Sequence, residues 1–387
     1  MLLLYLVAAV FGITQFDSGL STAVLPLYLL SLGVSLTTMG LLYSIYSLLS
    51  GLIRTPIGIM SDTVGPRPFI FAGLFASIVA ITCMALAWDW KLAAVAMVLA
   101  GIASGIFYTA MKRIAAEGTA VRDRVKVFLA IGLMFSLIGI VGPVIAGEIV
   151  EAYSLRSAFL VALALSLLGP MFCFRIRFAP SEKRTERIGI DEIFKSARSL
   201  GRNGTLLGIM NFFKTMTFGI TSALLPVYLR DTFNLSYGEL GAYISLSTTS
   251  SLIGAPIASR FTTFNSQSRF IMYVQPLLLP LYLCFVLVKR VDVAILSLLV
   301  INFIGSMTGP MTDTLTSEIA PPGKIGTAYG VVDTFMRVGI SVGNFIGGYT
   351  AETFGFQAVF IISGLAALFS SIPMILLRRN AAKHAVP

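Results

Sequence analysis

Long apolar runs recur along the whole chain, and they constrain its fold more than any other feature. Stretches of about twenty mostly apolar residues, enough to cross a hydrocarbon core of ~30 Å as a helix, follow one another from end to end. Only 12% of the residues are charged, whereas a soluble protein carries roughly 25%. Spanning barrels alternate apolar and polar residues in segments of about ten, and no such alternation occurs. The sequence therefore predicts an all-α polytopic membrane protein.

Twelve spans are predicted, in two sets of six. They cover residues 3–31, 35–61, 67–87, 91–114, 124–150, 156–176, 204–231, 236–260, 268–288, 292–318, 323–352 and 356–378. The first run lacks a basic leader and a small-residue cleavage site, so we interpret it as a span and not as a signal peptide. The hydrophilic segment 177–203 is predicted to be a cytoplasmic linker between six-helix bundles at 1–176 and 204–380, with a tail at 381–387.

Positive charge is concentrated on one side of this topology. With both termini in the cytoplasm, cytoplasmic segments and helix ends hold 21 of the 28 Lys and Arg residues, outer loops hold five, and two lie within spans. This bias is the positive-inside pattern. Topology and anionic lipid headgroups therefore explain the net charge of +10 better than nucleic-acid binding does.

Cofactor chemistry has no signature in the sequence. The three cysteines all lie in predicted spans and indicate neither a disulfide nor a metal framework. No G-x-x-x-x-G-K-[ST] motif for nucleotide binding occurs, so ATP hydrolysis in this chain is not expected. The only histidine is His384, in the tail. We expect no cofactor, no metal and no enzymatic activity.

The second half of the chain repeats the first. STAVLPLYL at 21–29 aligns with TSALLPVYL at 221–229, and GPVIAGEIVEAYSLRSAF at 142–159 aligns with GNFIGGYTAETFGFQAVF at 343–360. Because six is even, both copies enter the membrane in the same direction. Parallel repeats of this kind are a recurrent plan among transporters, with the substrate site between the copies.

One loop motif resembles a known family. GIMSDTVGPRP at 58–68 resembles the G-x-x-x-D-x-x-G-x-R signature between helices 2 and 3 of the major facilitator superfamily, through Gly58, Asp62, Gly65 and Arg67. The resemblance implies that fold, a monomer, and a conformational latch in which Asp62 engages the start of helix 11. The second copy has no acid in this region, where Thr262, Thr263 and Asn265 stand. The latch is therefore expected on one half only.

A second motif carries the same resemblance. GPVIAG at 142–147 is similar to the superfamily's helix 5 glycine–proline motif, often associated with antiporters, with Ala146 replacing one glycine. Small residues let membrane helices pack closely, and packing alone remains an alternative explanation. The glycine sets of spans 5 and 11 are Gly139, Gly142, Pro143, Gly147, and Gly339, Gly343, Gly347, Gly348.

Charged residues inside spans are hypotheses of function, because charge is costly in the bilayer. Proton coupling is assigned to Asp17 or Asp333; Asp333 shares a helix face with Arg337, and a static pair is the alternative. Lys112 and Asp313 are expected at a cytoplasmic gate. The resemblance implies that spans 1, 7 and 11 line a central cavity. The substrate-cavity candidates are Gln15, Asp17, Tyr108, Asn211, Lys214, Asn302, Asp333, Arg337 and Asn344.

These features predict a secondary active transporter that works by alternating access, with proton-coupled export of small amphipathic organic compounds as the leading hypothesis. Two alternatives stay open: a small organic anion, such as a carboxylate or phosphate ester held by Lys214 and Arg337, or a lipid or lysolipid. One departure weakens antiport, since Met97 stands where many proton-coupled members carry a helix 4 arginine. The expected partners are the substrate, protons and the bilayer, in a prokaryotic cytoplasmic membrane.

Overall fold

The computed structural model describes residues 19, 22–117, 124–174, 201–320 and 325–384. These residues form helices joined by short turns, with no strand in the described ranges. The helices are α1 (Thr22–Ser31), α2 (Leu36–Leu52), α3 (Arg54–Val64), α4 (Arg67–Ala85), α5 (Trp90–Glu117), α6 (Arg124–Ala152), α7 (Leu155–Ser166), α8 (Leu168–Phe174), α9 (Gly201–Ser222), α10 (Leu225–Phe233), α11 (Tyr237–Thr249), α12 (Ser251–Ala258), α13 (Phe264–Leu287), α14 (Val291–Ile319), α15 (Ile325–Phe354) and α16 (Phe356–His384).

The helices confirm the predicted membrane class. Within the described ranges, seven helical segments are long and apolar enough to cross a bilayer. An eighth results if α9 and α10, which are bent by 43° relative to each other, form one span. The count of twelve spans and the cytoplasmic placement of both termini stay predictions.

Four predicted spans are each divided into two helices. The breaks fall at Ile53, at Leu167, at 223–224 and at Ser250. A proline follows three of the breaks within three residues, at Pro56, Pro170 and Pro226, whereas Pro256 lies inside α12, six residues after Ser250. Proline has no backbone N–H and its ring clashes with the carbonyl four residues earlier, so the preceding turn loses its helical hydrogen bond.

The two sequence copies make the same turn after their first span. Gly33 has φ +81° and Asn234 has φ +51°, in the left-handed region that Gly and Asn tolerate best. The next helix then begins with a capping serine in both copies. The Ser35 side chain accepts a hydrogen bond from the Thr38 N–H, and Ser236 does the same for Glu239.

The chain divides into two compact units. One contains Met1–Arg187 and Leu229–Ser245, and the other contains Ile188–Tyr228 and Leu246–Pro387. Part of α10 and most of α11, which belong to the second sequence copy, therefore pack with the first unit. The domain limits read from the sequence, 1–176 and 204–380, stay predictions.

Candidate functional site

The second unit is built on a seam of small residues between α9 and α15. A methyl group added to Gly219, Gly339, Gly343 or Gly347 would lie within 3.0 Å of a backbone carbonyl oxygen of the facing helix. Real Cβ atoms essentially never come so close. The two helix backbones therefore approach at a distance that only glycine permits, as small residues allow in membrane helix pairs.

Polar side chains tie the same two helices together. Asn211 Nδ2 donates to the Val332 carbonyl at 3.3 Å, and Thr215 Oγ1 donates to the Met336 carbonyl at 3.0 Å. Ser222 Oγ donates to Asn344 Oδ1 at 3.2 Å. Asn211 and Asn344, two of the predicted cavity residues, are buried. Their amides take part in packing within this unit.

Lys214 lies on α9 in the middle of this arrangement and reaches a third helix. Its ammonium donates to Thr312 Oγ1 at 2.8 Å and lies 3.5 Å from the Thr308 carbonyl oxygen, both on α14. The Thr312 hydroxyl in turn donates to the Thr308 carbonyl. Among the described residues, no carboxylate oxygen lies within 4.0 Å of the ammonium. Neutral oxygens are thus its direct hydrogen-bond partners, and the Asp313 carboxylate acts on it electrostatically from a greater distance.

Arg337 lies on α15 at the level of Lys214, since the neighbouring residues Thr215 and Met336 are joined by a hydrogen bond. Its side chain is half-buried, and its Nε atom is buried with no hydrogen-bond partner in the described ranges. Asp333, also half-buried, lies one turn earlier on the same helix. The seam therefore holds two cations and one acid in helices that the sequence predicts to span the membrane, where charge normally has a function.

The first unit contains a charged residue that the sequence analysis did not single out. The guanidinium of Arg54 lies 4.4 Å from the centroid of the Tyr108 ring, within the range of a cation–π contact. Arg54 lies inside the predicted span 35–61, but its position near the cytoplasmic side led to its being counted as a helix-end charge. Its place seven residues before the end of that span is the signal that could have identified it.

Among the other predicted residues, Asp313 is close enough to Lys214 for its charge to act on that ammonium. Asn302 donates to the Ser247 carbonyl at 3.2 Å. Asp313 is exposed, and its backbone carbonyl accepts from the Tyr329 hydroxyl at 2.9 Å. Gln15, Asp17 and the side chains of Asp62 and Lys112 lie outside the described residues. Proton coupling through Asp17 and the cytoplasmic gate therefore stay predictions.

The loop motif adopts the turn that its glycine requires. Gly65 has φ +91°, and Arg67, which is exposed, begins α4. Gly58 on α3 faces Thr109 at an ordinary spacing, since a Cβ there would lie 3.9 Å from its methyl group. The latch contact of Asp62 stays a prediction.

The span 5 motif packs within the first unit. A Cβ on Gly142 would lie within 3.0 Å of the Gly19 backbone, and one on Gly147 would lie within 3.0 Å of the Tyr237 carbonyl oxygen of α11. Gly241 of α11 faces the Pro143 carbonyl equally closely. Ala146 is buried in the same helix, Gly139 is half-buried, and Gly348 of the span 11 set is buried in α15. The motif therefore contributes to close helix packing in the first unit. Its association with antiport stays a prediction.

A carboxylate fixes the start of α11 next to this motif. Glu151 Oε2, just beyond the predicted span 124–150, accepts a hydrogen bond from the Gly238 N–H at 2.7 Å. This bond and a second one from the Ser236 side chain hold the pKa of Glu151 below its ordinary value of 4.5. An acid at a helix N-terminus satisfies free N–H groups and is favoured by the helix dipole.

No metal site accompanies these residues. Within the described ranges, no group of three or more His, Cys, Asp or Glu side chains is placed to hold an ion.

Comparisons with known proteins extend over nearly the full chain. A sequence profile described as Major Facilitator Superfamily matches residues 7–344 and 207–387. Multidrug resistance protein MdtG of Enterobacter lignolyticus is 25% identical over 94% of this chain and 89% of its own length. Quinolone resistance protein NorA of Staphylococcus aureus is 26% identical over 85% of this chain and 84% of its own length. The crystal structure of a point mutant of the nucleoside transporter NupG shares the fold, with a TM-score of 0.83 at 13% identity, over 97% of this chain and 99% of that one.

Proposed function

We propose, from the premise that this chain belongs to the Major Facilitator Superfamily, that it exports small amphipathic organic compounds in exchange for protons. Membership of that family makes the chain a multi-pass membrane transporter and not an enzyme. Alternating access, antiport and residence in a prokaryotic cytoplasmic membrane are parts of the proposal. Two relatives named for multidrug and quinolone resistance match it along most of their length, which supports export of organic compounds.

The observation that carries the proposal is the charged seam of the second unit. Lys214, Asp333 and Arg337 lie on two adjacent helices, α9 and α15, that the sequence predicts to span the membrane. A site with apolar walls and a few convergent polar groups suits a ligand with an apolar body and one polar end. We assign proton exchange to Asp333, together with Asp17.

A small organic anion is the second candidate, and one observation favours it. Lys214 is held by neutral oxygens, with no carboxylate within 4.0 Å among the described residues, and Arg337 has a buried Nε that lacks a partner there. A carboxylate or phosphate ester between these cations would satisfy both, since Arg can bind an oxyanion with two parallel hydrogen bonds.

A ligand panel with the purified full-length protein separates the two candidates. Lipophilic cations, organic acids, sugar phosphates and lysolipids are tested by thermal shift, because a ligand that binds only the folded state stabilises it by about 2.7 kcal/mol at 100 times its Kd. The wild type is compared with Asp333→Asn, with Lys214→Ala/Arg337→Ala, and with Arg290→Ala, a control at an exposed outer position.

We expect lipophilic compounds to stabilise the wild type and the Arg290 control, with an effect that changes with pH and is lost in Asp333→Asn. Everted vesicles with an imposed proton gradient should then accumulate the same compounds. If only anions stabilise, and the double variant loses that effect, the export proposal is wrong and the cations form an anion site. Stabilisation by lysolipids alone would favour lipid transport over both candidates.

A further inference from the structure

A cavity of about 210 Å³ lies inside the first unit, between α1, α2, α4, α5 and α7. Its polar groups are Thr22 on α1, Tyr43 and Tyr46 on α2, Ser77 on α4 and Ser104 on α5. Met84 and Phe107 are among its apolar walls. None of the described residues that line it carries a charge. The cavity is therefore chemically unlike the charged seam of the second unit.

Two hydroxyl groups of the lining have unused hydrogen-bonding capacity. Neither Tyr43 nor Tyr46 makes a hydrogen bond to another described residue, although each phenol can donate one and accept others. Both side chains are half-buried, so their hydroxyl groups can donate to an acceptor placed inside the cavity.

The second sequence copy provides an internal comparison. RPFI at 67–70 aligns with SRFI at 268–271, and the same offset of 201 pairs three lining residues with larger ones. Ser77, Ile81 and Met84 correspond to Leu278, Tyr282 and Phe285. All three larger side chains are buried.

Packing of the paired tyrosines shows the consequence. In the second unit, the Tyr228 ring packs against Phe285 at 5.2 Å and against Phe360 at 4.9 Å between centroids. In the first unit, the Tyr28 ring packs against Phe159 at 4.9 Å, and its hydroxyl donates to the carbonyl of Met84. The ring of Phe285 thus has the flexible side chain of Met84 as its counterpart. Smaller lining residues leave space in the first copy at positions where the second copy has aromatic bulk.

We propose that this cavity binds a small, neutral, largely apolar molecule that carries one hydrogen-bond acceptor for Tyr43 or Tyr46. An apolar cavity of roughly 150 Å³ is sufficient for benzene, so this one accommodates an aromatic ring with a short substituent. The uncharged lining excludes an ion, because an unpaired charge in such surroundings is strongly disfavoured. Its lining residues belong to the first unit, whereas Lys214 and Arg337 belong to the second.

The test uses the purified full-length protein and 4-fluoroacetophenone, a neutral ring with a carbonyl acceptor, observed by ¹⁹F NMR. We expect saturable binding to the wild type. Ser77→Leu/Met84→Phe, which installs the residues of the second copy, should abolish it. Tyr43→Phe and Tyr46→Phe are compared singly and together, and loss of one neutral hydrogen bond should weaken binding by about 2- to 10-fold. Leu278→Met is the matched control in the second copy and should leave the affinity unchanged.

Two further comparisons isolate the hydrogen bond and the site. The probe 1-ethyl-4-fluorobenzene lacks the acceptor and should bind the wild type and the tyrosine variants equally. Lys214→Ala should still bind 4-fluoroacetophenone, so that failure of the transport proposal leaves this one standing. Absence of saturable binding to the wild type, or equal binding to the filled variant, would overturn the proposal. If the filled variant does not fold, unchanged ketone affinity in Tyr43→Phe/Tyr46→Phe overturns it instead.

Discussion

Gly343 illustrates how a single missing methyl group sets the geometry of the second unit. A Cβ there would meet the Met216 carbonyl oxygen within 3.0 Å, so Gly343→Ala must push α9 and α15 apart. We expect this variant to lose about 1–3 kcal/mol of stability, as overpacked cores do. Thermal unfolding of the purified protein measures the loss.

Gly330, on the same helix, is the matched control. Nothing lies within 4 Å of a Cβ at this position, so Gly330→Ala should be neutral or gain up to about 1 kcal/mol from helix propensity. Equal melting temperatures for the two alanine variants would show that the seam does not limit the approach of the helices.

At this scale the sequence predicted residue types better than their surroundings. The glycines of span 11 and the charges of Lys214, Asp333 and Arg337 were singled out, because both are unusual in an apolar helix, whereas Arg54 was not. The engagement of Asn211 with the Val332 carbonyl could not be predicted, since lipid and helix partners are both apolar and leave no amphipathic pattern to show which face is inward. The hydrogen-bond partner of Lys214, Thr312, was missed for the same reason.

The contact at the N-terminus of α11 should make the stability of the protein depend on pH. Glu151 accepts from the Gly238 N–H, and its pKa is lowered. A lowered pKa in the folded state means that the stabilisation is present above the ordinary value of 4.5 and is lost as the pH falls below it. We expect the melting temperature of the wild type to fall more steeply between pH 6 and pH 3.5 than that of Glu151→Gln.

The amide of Glu151→Gln can still accept the Gly238 hydrogen bond, so the comparison isolates the charge. Neighbouring charges at Glu148, Glu239 and Arg230 are unchanged in this variant. Asp231→Asn removes an exposed carboxylate of α10 and is the control. Its melting temperature should change with pH as that of the wild type does. Parallel pH profiles for the wild type and Glu151→Gln would contradict the proposed role of the carboxylate.

Helix boundaries were predicted well except where spans are broken. The span 292–318 corresponds to α14 (Val291–Ile319), and 124–150 corresponds to α6 (Arg124–Ala152). The break at Ile53, three residues before Pro56, was not predicted, because apolar residues continue through it. Proline alone was an ambiguous signal, since Pro143 and Pro310 lie inside continuous helices.

The orientation of the whole molecule is testable with single cysteines. Positive charge predicts the linker 177–203 on the cytoplasmic side and the turn at Asn234 on the outer side. After replacement of Cys83, Cys173 and Cys284, we expect Asn234→Cys to react with a membrane-impermeant maleimide in intact cells. Ser181→Cys should react only after the membrane is disrupted. The reverse labelling pattern would invert the topology.

The membrane class and the duplication followed from composition and alignment, because both are properties of long stretches of chain. Composition and alignment did not show which segments belong to each of the two compact units. Assignment of Leu229–Ser245 to the first unit depends on close backbone contacts, such as Gly147 against the Tyr237 carbonyl, which no hydropathy pattern reports.

This assignment has a consequence for how the protein is made. Because Leu229–Ser245 belong to the first unit, that unit needs a segment that the ribosome synthesises only after the linker 177–203. A fragment that ends within the linker lacks the packing partner of Gly147 and Pro143. Such a fragment should be cleared by quality-control proteases when expressed alone, and coexpression of the remaining chain should rescue it in trans.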